Sequence, residues 1–247
     1  MNVTLRKAQR VFREGGAGAL FRKGPAECIG LLSTYKALRR AQTFESSADL
    51  VRYGQGLGNG VVASYQIESE ISSFLDRISA LDARVIVEIG TAKGGTLLLL
   101  ARSAHPRATL ISIDLPDGSF GEGYPVWRIP IYRRFASPTQ TLTLIRADSH
   151  LGTTRERVET ALEGRQIDLL FIDGDHTYEG VRSDFEDYSP LVRPGGLIAF
   201  HDIVEGPPEA VGGVPQFWKE LQDRIGGEEI VADRSQGACG IGLIRND

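Results

Sequence analysis

The sequence predicts an α/β protein built on a Rossmann-like, mostly parallel sheet, and three observations point there. Short β-branched runs alternate with helical stretches through VIVEIG, GGTLLLLARSA, TLISID, LTLIRAD, IDLLFID and LIAFHD. That alternation marks βαβ units whose sheet is covered on both faces. A glycine-rich turn, EIGTAKGGT, joins the first run to a helix. Five runs end at or next to an acid, namely Glu88, Asp114, Asp148, Asp173 and Asp202. Ligands of open parallel sheets bind beyond the carboxyl ends of the strands, so these acids are expected to converge on one crevice.

Composition narrows the class. A chain of 247 residues, 41% hydrophobic and 24% charged, can bury one large core and is neither disordered nor collagen-like nor a disulfide framework. Cys28 and Cys239 lack CxxC spacing, which argues for a reducing compartment and against structural zinc. Both are read as small buried apolar residues. No run reaches the roughly 18 to 20 apolar residues of a membrane span, and the N-terminus lacks a signal-peptide core. The expected location is cytoplasmic. Residues 1–42 carry +7 and the remainder −11.

Taken in order, residues 1–42 read as two or three short helices broken at Gly15, Gly16 and Pro25, with Arg6, Lys7, Arg10 and Arg13 between apolar positions. Such a segment is either a solvated helix face packed on the domain or a peripheral contact with the inner face of a membrane. GQGLGNG reads as a hinge, which divides the chain into a basic helical extension, 1–59, and a catalytic domain, 60–247. ASYQIESEISSFLDRISALD is helical, and EEIVAD and GIGLIRN, with no helix between them, form an antiparallel hairpin.

The turn after the first strand is neither of the common phosphate motifs. A P-loop fails because Lys93 precedes the glycine pair, and GxGxxG fails because Ala92 stands where its second glycine belongs. Gly90, Gly94 and Gly95 still allow close backbone approach to a ligand. Asp114, 24 residues beyond Gly90, suits the two hydroxyls of a ribose. Glu88 would repel a pyrophosphate but suits an amino-acid head with a cationic sulfur. That weighs against a nicotinamide-dependent oxidoreductase. A third reading, an inactive membrane-associated partner protein of the same fold, is disfavoured by the intact acids and glycines. No motif points to nucleic acid.

From about Tyr65 to Ile244 the sequence resembles class I S-adenosylmethionine-dependent methyltransferases, in the group of macrocin and other sugar O-methyltransferases and proteins labelled cephalosporin hydroxylase. The residues that carry the resemblance are YQI, VEIGTAKGGT, ISID, RADS, FIDGDHTYEGVRSDF and LVRPGGLIAFHD. It implies a seven-stranded sheet with an antiparallel last strand. It also implies that Glu88, Gly90, Thr91 and Gly94 line the methionine part of the cofactor, Asp114 the ribose, and Asp148 and Ser149 the adenine. Asp173 would border the cofactor and, with Asp202, hold a divalent metal, magnesium first and manganese or another as alternatives.

Asp175 is then the expected base and His176 the second candidate. His201 stands where many relatives have Asp or Glu, and imidazole fits Mn, Fe or Zn better than Mg, so it is read as a ligand or a substrate-binding residue. The resemblance implies a sugar, glycan or glycosylated small molecule as acceptor and leaves a homo-oligomer open. The connection 116–141 reads as a lid in which Tyr124, Trp127 and Tyr132 stack on the sugar. His105 and His150 read as surface or capping residues.

Overall fold

A computed structural model describes residues 29–39, 42–116, 123 and 125–247. The expectations for residues 1–28, for Tyr124 and for the side chain of Trp127 lie outside the described residues.

Residues 29–37 are helical (α1). There follow α2 (Ser47–Gly56), α3 (Glu68–Leu81), β1 (Val85–Ile89), α4 (Gly95–Ser103), β2 (Thr109–Asp114), α5 (Ile129–Tyr132), β3 (Thr141–Arg146), α6 (Gly152–Leu162) and β4 (Ile167–Ile172). The chain continues through α7 (Tyr178–Tyr188), β5 (Val192–His201), α8 (Pro208–Val211), α9 (Val214–Ile225), β6 (Glu228–Ile230) and β7 (Ile241–Arg245). The strands form a single sheet in the order β3-β2-β1-β4-β5-β7-β6.

β1 through β5 pair in parallel, whereas β7 runs antiparallel to both β5 and β6. Strand order reverses between β1 and β4, and a crevice opens beyond their carboxyl ends. Every residue of β1 is buried, because neighbours flank it and helices cover both faces. Alternation then sorts its side chains. Ile86 joins the core under α2, α3 and α4, and Val85, Val87 and Ile89 join the core under α6, α7 and α9.

Three expectations change. The helix expected over ASYQIESEISSFLDRISALD begins only at Glu68, because the preceding residues run past the glycine turn, where the Ser64 nitrogen would lie 2.1 Å from a Cβ on Gly95. GQGLGNG is no extended hinge. It ends α2 and continues into a turn, with Gly54 against Leu99 and Leu57 in the same core. Tyr132 is fully buried and donates its hydroxyl to the Ala92 carbonyl at 2.8 Å. It therefore braces the glycine turn and cannot stack on an acceptor.

Candidate active site

The site begins where β1 runs out. Gly90 has φ +93°, and a Cβ there would fall 1.9 Å from the Asp173 carbonyl oxygen on β4, so only glycine fits. Ala92 also takes a left-handed conformation, φ +45°, which costs an alanine about 1–2 kcal/mol. The turn is held in place by Asp114. Its Oδ2 accepts from the backbone N–H of Thr91 (2.9 Å) and of Ala92 (2.6 Å), and its Oδ1 from that of Leu115 (2.7 Å). Burial pushes the Asp114 carboxyl up to about 6 against the pull of those three donors.

Glu88 lies beneath this turn rather than on the cleft wall. It is fully buried, its Oε2 accepts from the Thr91 hydroxyl at 3.1 Å, and its Oε1 has no partner among the described residues. Burial drives its carboxyl well above the usual range. A buried polar atom orphaned in this way costs about 1–3 kcal/mol.

Two hollows share the walls Gly90, Asp114 and Gly174. The first, about 260 Å³, is bounded by Asp148, Ser149, His150 and Asp175. His150 is not a surface residue. Its Nε2 lies 3.3 Å from a carboxylate oxygen of the wholly buried Asp184, and hydrogen bonding to Asp184 raises its pKa to about 9. Asp175 turns away from the other acids of its motif. Its Oδ1 accepts from the Thr177 backbone N–H at 2.9 Å, and its side chain packs against Gly180 at the start of α7.

The second hollow, about 470 Å³, holds Thr91, Asp173, His176, His201, Asp202 and Cys239 in its walls. His201 Nδ1 lies 3.1 Å from Asp173 Oδ1 and 3.3 Å from Asp202 Oδ2. Burial by itself would lower the His201 pKa, but the neighbouring Asp173 and Asp202 and the Cys239 thiol raise it well above the ordinary imidazole value. Burial likewise works to raise Asp173, yet the two imidazoles hold it down at about 2.

His176 donates Nδ1–H to the Ala210 carbonyl at 2.6 Å, which turns Nε2 toward Asp173 Oδ1 at 3.6 Å. Gln66 donates to the other Asp173 oxygen at 3.3 Å. Among the described residues, two trios can bring one ligand atom each within 4.8 Å of one another: Asp173, His176 and Asp202, and His201, Asp202 and Cys239. The donor set fits a divalent cation.

Most of the expected site residues thus line the two adjoining hollows, with Asp175 on the wall of the first, Glu88 beneath the turn and Gly94 behind it against Tyr132. Sequence reasoning missed Cys239, Gln66 and Tyr65. Tyr65 is 59% exposed at the mouth of the second hollow, with Lys93 Nζ 4.9 Å above its ring. The signal for Cys239 was present in the antiparallel last strand. Register His201↔Ile241 sets the residues after β5 beside those before β7.

A family described as a methyltransferase domain matches residues 87–203. The chain is 31% identical over 147 residues to the uncharacterized protein y4gI of Sinorhizobium fredii, 58% of this chain and 16% of that protein. It is 34% identical over 143 residues to an uncharacterized protein of Acanthamoeba polyphaga mimivirus, 57% of this chain and 62% of that one. The chain therefore spans less than two thirds of the length of these curated relatives.

Among solved structures, an O-methyltransferase from Bacillus cereus in complex with S-adenosylhomocysteine superposes with a TM-score of 0.55 at 18% identity, over 90% of this chain and 100% of that one. TomG from Streptomyces achromogenes, an O-methyltransferase of tomaymycin synthesis in complex with S-adenosylmethionine, gives 0.52 at 19% identity over 90% and 99%. MycE, a methyltransferase of the mycinamycin pathway in complex with Mg and S-adenosylhomocysteine, gives 0.52 at 20% identity over 83% and 56%.

The methyltransferase-domain family matches residues 87–203 of the chain, and the fold is the one seen in these solved O-methyltransferases.

Proposed function

We propose that the protein transfers the methyl group of S-adenosylmethionine to an oxygen of a sugar, glycan or glycosylated small molecule. The observation that carries this reading is the adjacency of the two hollows: the one around Asp114 and Asp148 shares the walls Gly90, Asp114 and Gly174 with the one holding Asp173, His176, His201 and Asp202. The ribose is assigned to Asp114, the adenine to Asp148 and Ser149, and the methionine end to Thr91 and the turn above Glu88.

At the reacting end, a sugar hydroxyl is a weak nucleophile until its proton departs. His176, with Nδ1–H committed to Ala210, presents Nε2 as the acceptor for that proton. Asp173, His201 and Asp202 would hold a divalent cation, which supplies polarisation of the acceptor oxygen when bound. Tyr65, exposed at the mouth, offers an apolar face for a sugar ring. The sugar reading is supported by the resemblance of FIDGDHTYEGVRSDF and LVRPGGLIAFHD to sugar O-methyltransferases. The basic segment 1–42 is assigned to peripheral contact with an anionic membrane surface, which suits an acceptor carried on lipid.

The test is a transfer assay with methyl-labelled S-adenosylmethionine across free sugars, nucleotide sugars and glycosides, paired with thermal unfolding. S-adenosylhomocysteine should raise stability by about 2.7 kcal/mol at 100-fold excess over its dissociation constant. A shift with NAD and none with S-adenosylhomocysteine would overturn the cofactor assignment.

A further inference from the structure

We infer that Cys239 is a metal ligand, and that with His201 and Asp202 it selects a thiolate-accepting first-row transition cation over magnesium. The inference rests on the methyl-transfer reading only for the use made of the cation; the site itself is argued from its donors.

His201, Asp202 and Cys239 bring one potential ligand atom each to within 4.8 Å of one another. A second observation points to a ligand: His201 is 4% exposed, and its Nε2 is buried with no hydrogen-bond partner among the described residues. A buried ring nitrogen with no partner is rare in a folded chain, and a cation satisfies it.

Cys239 is fixed rather than incidental. Its backbone N–H donates to Asp202 Oδ1 at 2.8 Å, and its carbonyl accepts from Val204 N–H at 3.0 Å. The next residue, Gly240, donates to Glu70 Oε2 at 2.9 Å. Glu70 is itself buried and also takes donors from Ala232 and Gln236 at 2.8 Å each, so one carboxylate anchors the whole approach to β7. The thiol opens into the second hollow beside Tyr65, not into either hydrophobic core. A cysteine filling apolar space would lie in one of those cores.

The donor chemistry decides the cation. Mg2+ asks for hard oxygen ligands in an octahedron, whereas a sulfur, a nitrogen and one carboxylate favour Zn2+, Fe2+ or Co2+. With Asp173 these make four protein ligands, and a zinc-type site that expands to five still takes an acceptor oxygen.

The test uses the full chain stripped with a chelator and titrated with Co2+, whose bond to a thiolate gives a charge-transfer absorption in the near ultraviolet. The expected result is that band, its displacement by Zn2+ but not by millimolar-excess Mg2+, and its loss in Cys239→Ser. Cobalt affinity should fall in that variant by more than the roughly 10- to 100-fold typical of removing a partner one shell further out. S-adenosylhomocysteine binding by calorimetry reports that the variant is folded.

A measurement on the unaltered protein stands beside it. Zn2+ should protect Cys239 from alkylation, read by peptide mass spectrometry with Cys28 as the internal reference. Cobalt binding without the band, unchanged affinity in Cys239→Ser, or alkylation of Cys239 at the same rate with saturating Zn2+ would overturn the inference. A thiolate band in a protein that does not bind S-adenosylhomocysteine would support the metal site and sink the methyl-transfer reading instead.

Discussion

In the proposed reaction, His176 is the residue on which proton removal turns. Its ring is held between a carbonyl and two carboxylates: Ala210 takes Nδ1–H, while Asp173 and Asp202 lie 3.6 Å away. Burial would lower its pKa, but those contacts raise it above the ordinary imidazole value of 6.5. A base must be neutral to accept a proton, so the transfer rate should rise with pH through a midpoint above 6.5 and level off beyond it. His176→Ala should lower turnover by about 100- to 10,000-fold and flatten that rise. An unchanged pH profile in the variant would remove His176 from the reaction. The sequence put Asp175 first and His176 second, because neighbours in a loop share a motif and not a direction. Only the Asx turn that commits Asp175 to Thr177 separates them.

At the scale of elements, the approach to β7 matters as much as the strand ends. Glu70 in the first turn of α3 accepts from Ala232, Gln236 and Gly240, three donors drawn from one loop. In Glu70→Ala those donors lose their partner, two of them backbone groups, at about 1–3 kcal/mol for each one left buried. Thermal unfolding should move down by several degrees, and metal affinity should fall more than cofactor affinity, since the loop touches Asp202 but not Asp114. Equal losses of both would show that Glu70 supports the whole domain without preference for this side. The strands themselves were legible in the sequence, and each β-branched run lies where the pattern set it. Glu70 was not, because a lone acid in a helix carries no sign of the distant loop it will meet. The aromatic assignment failed for a related reason: Tyr132 reads as an exposed lid residue until packing against Phe135 and the Ala92 carbonyl claims it.

Over the whole molecule, charge is divided between the N-terminal segment and the rest, +7 against −11. No helix among the described residues is long and apolar enough to cross a membrane. Each Lys or Arg near an anionic surface contributes about 1 kcal/mol. The full chain should therefore sediment with anionic vesicles at low salt and release at high salt, while a chain lacking residues 1–42 should remain in the supernatant. Equal sedimentation of the two would dismiss membrane contact.

The sheet order has a consequence for the timing of assembly. The nucleotide side needs only β1 to β4, all of them made before residue 173, whereas the reacting side also needs β7, which slots between β5 and β6 after both exist. Chains fold as they leave the ribosome, N-terminal parts first. A nascent chain halted before Ile241 would hold the strand ends that frame the adenosine cleft, yet β5 would lack the neighbour that sets Cys239 beside Asp202. The order of synthesis thus withholds the hollow around His201 and Cys239 until the one around Asp148 can already form.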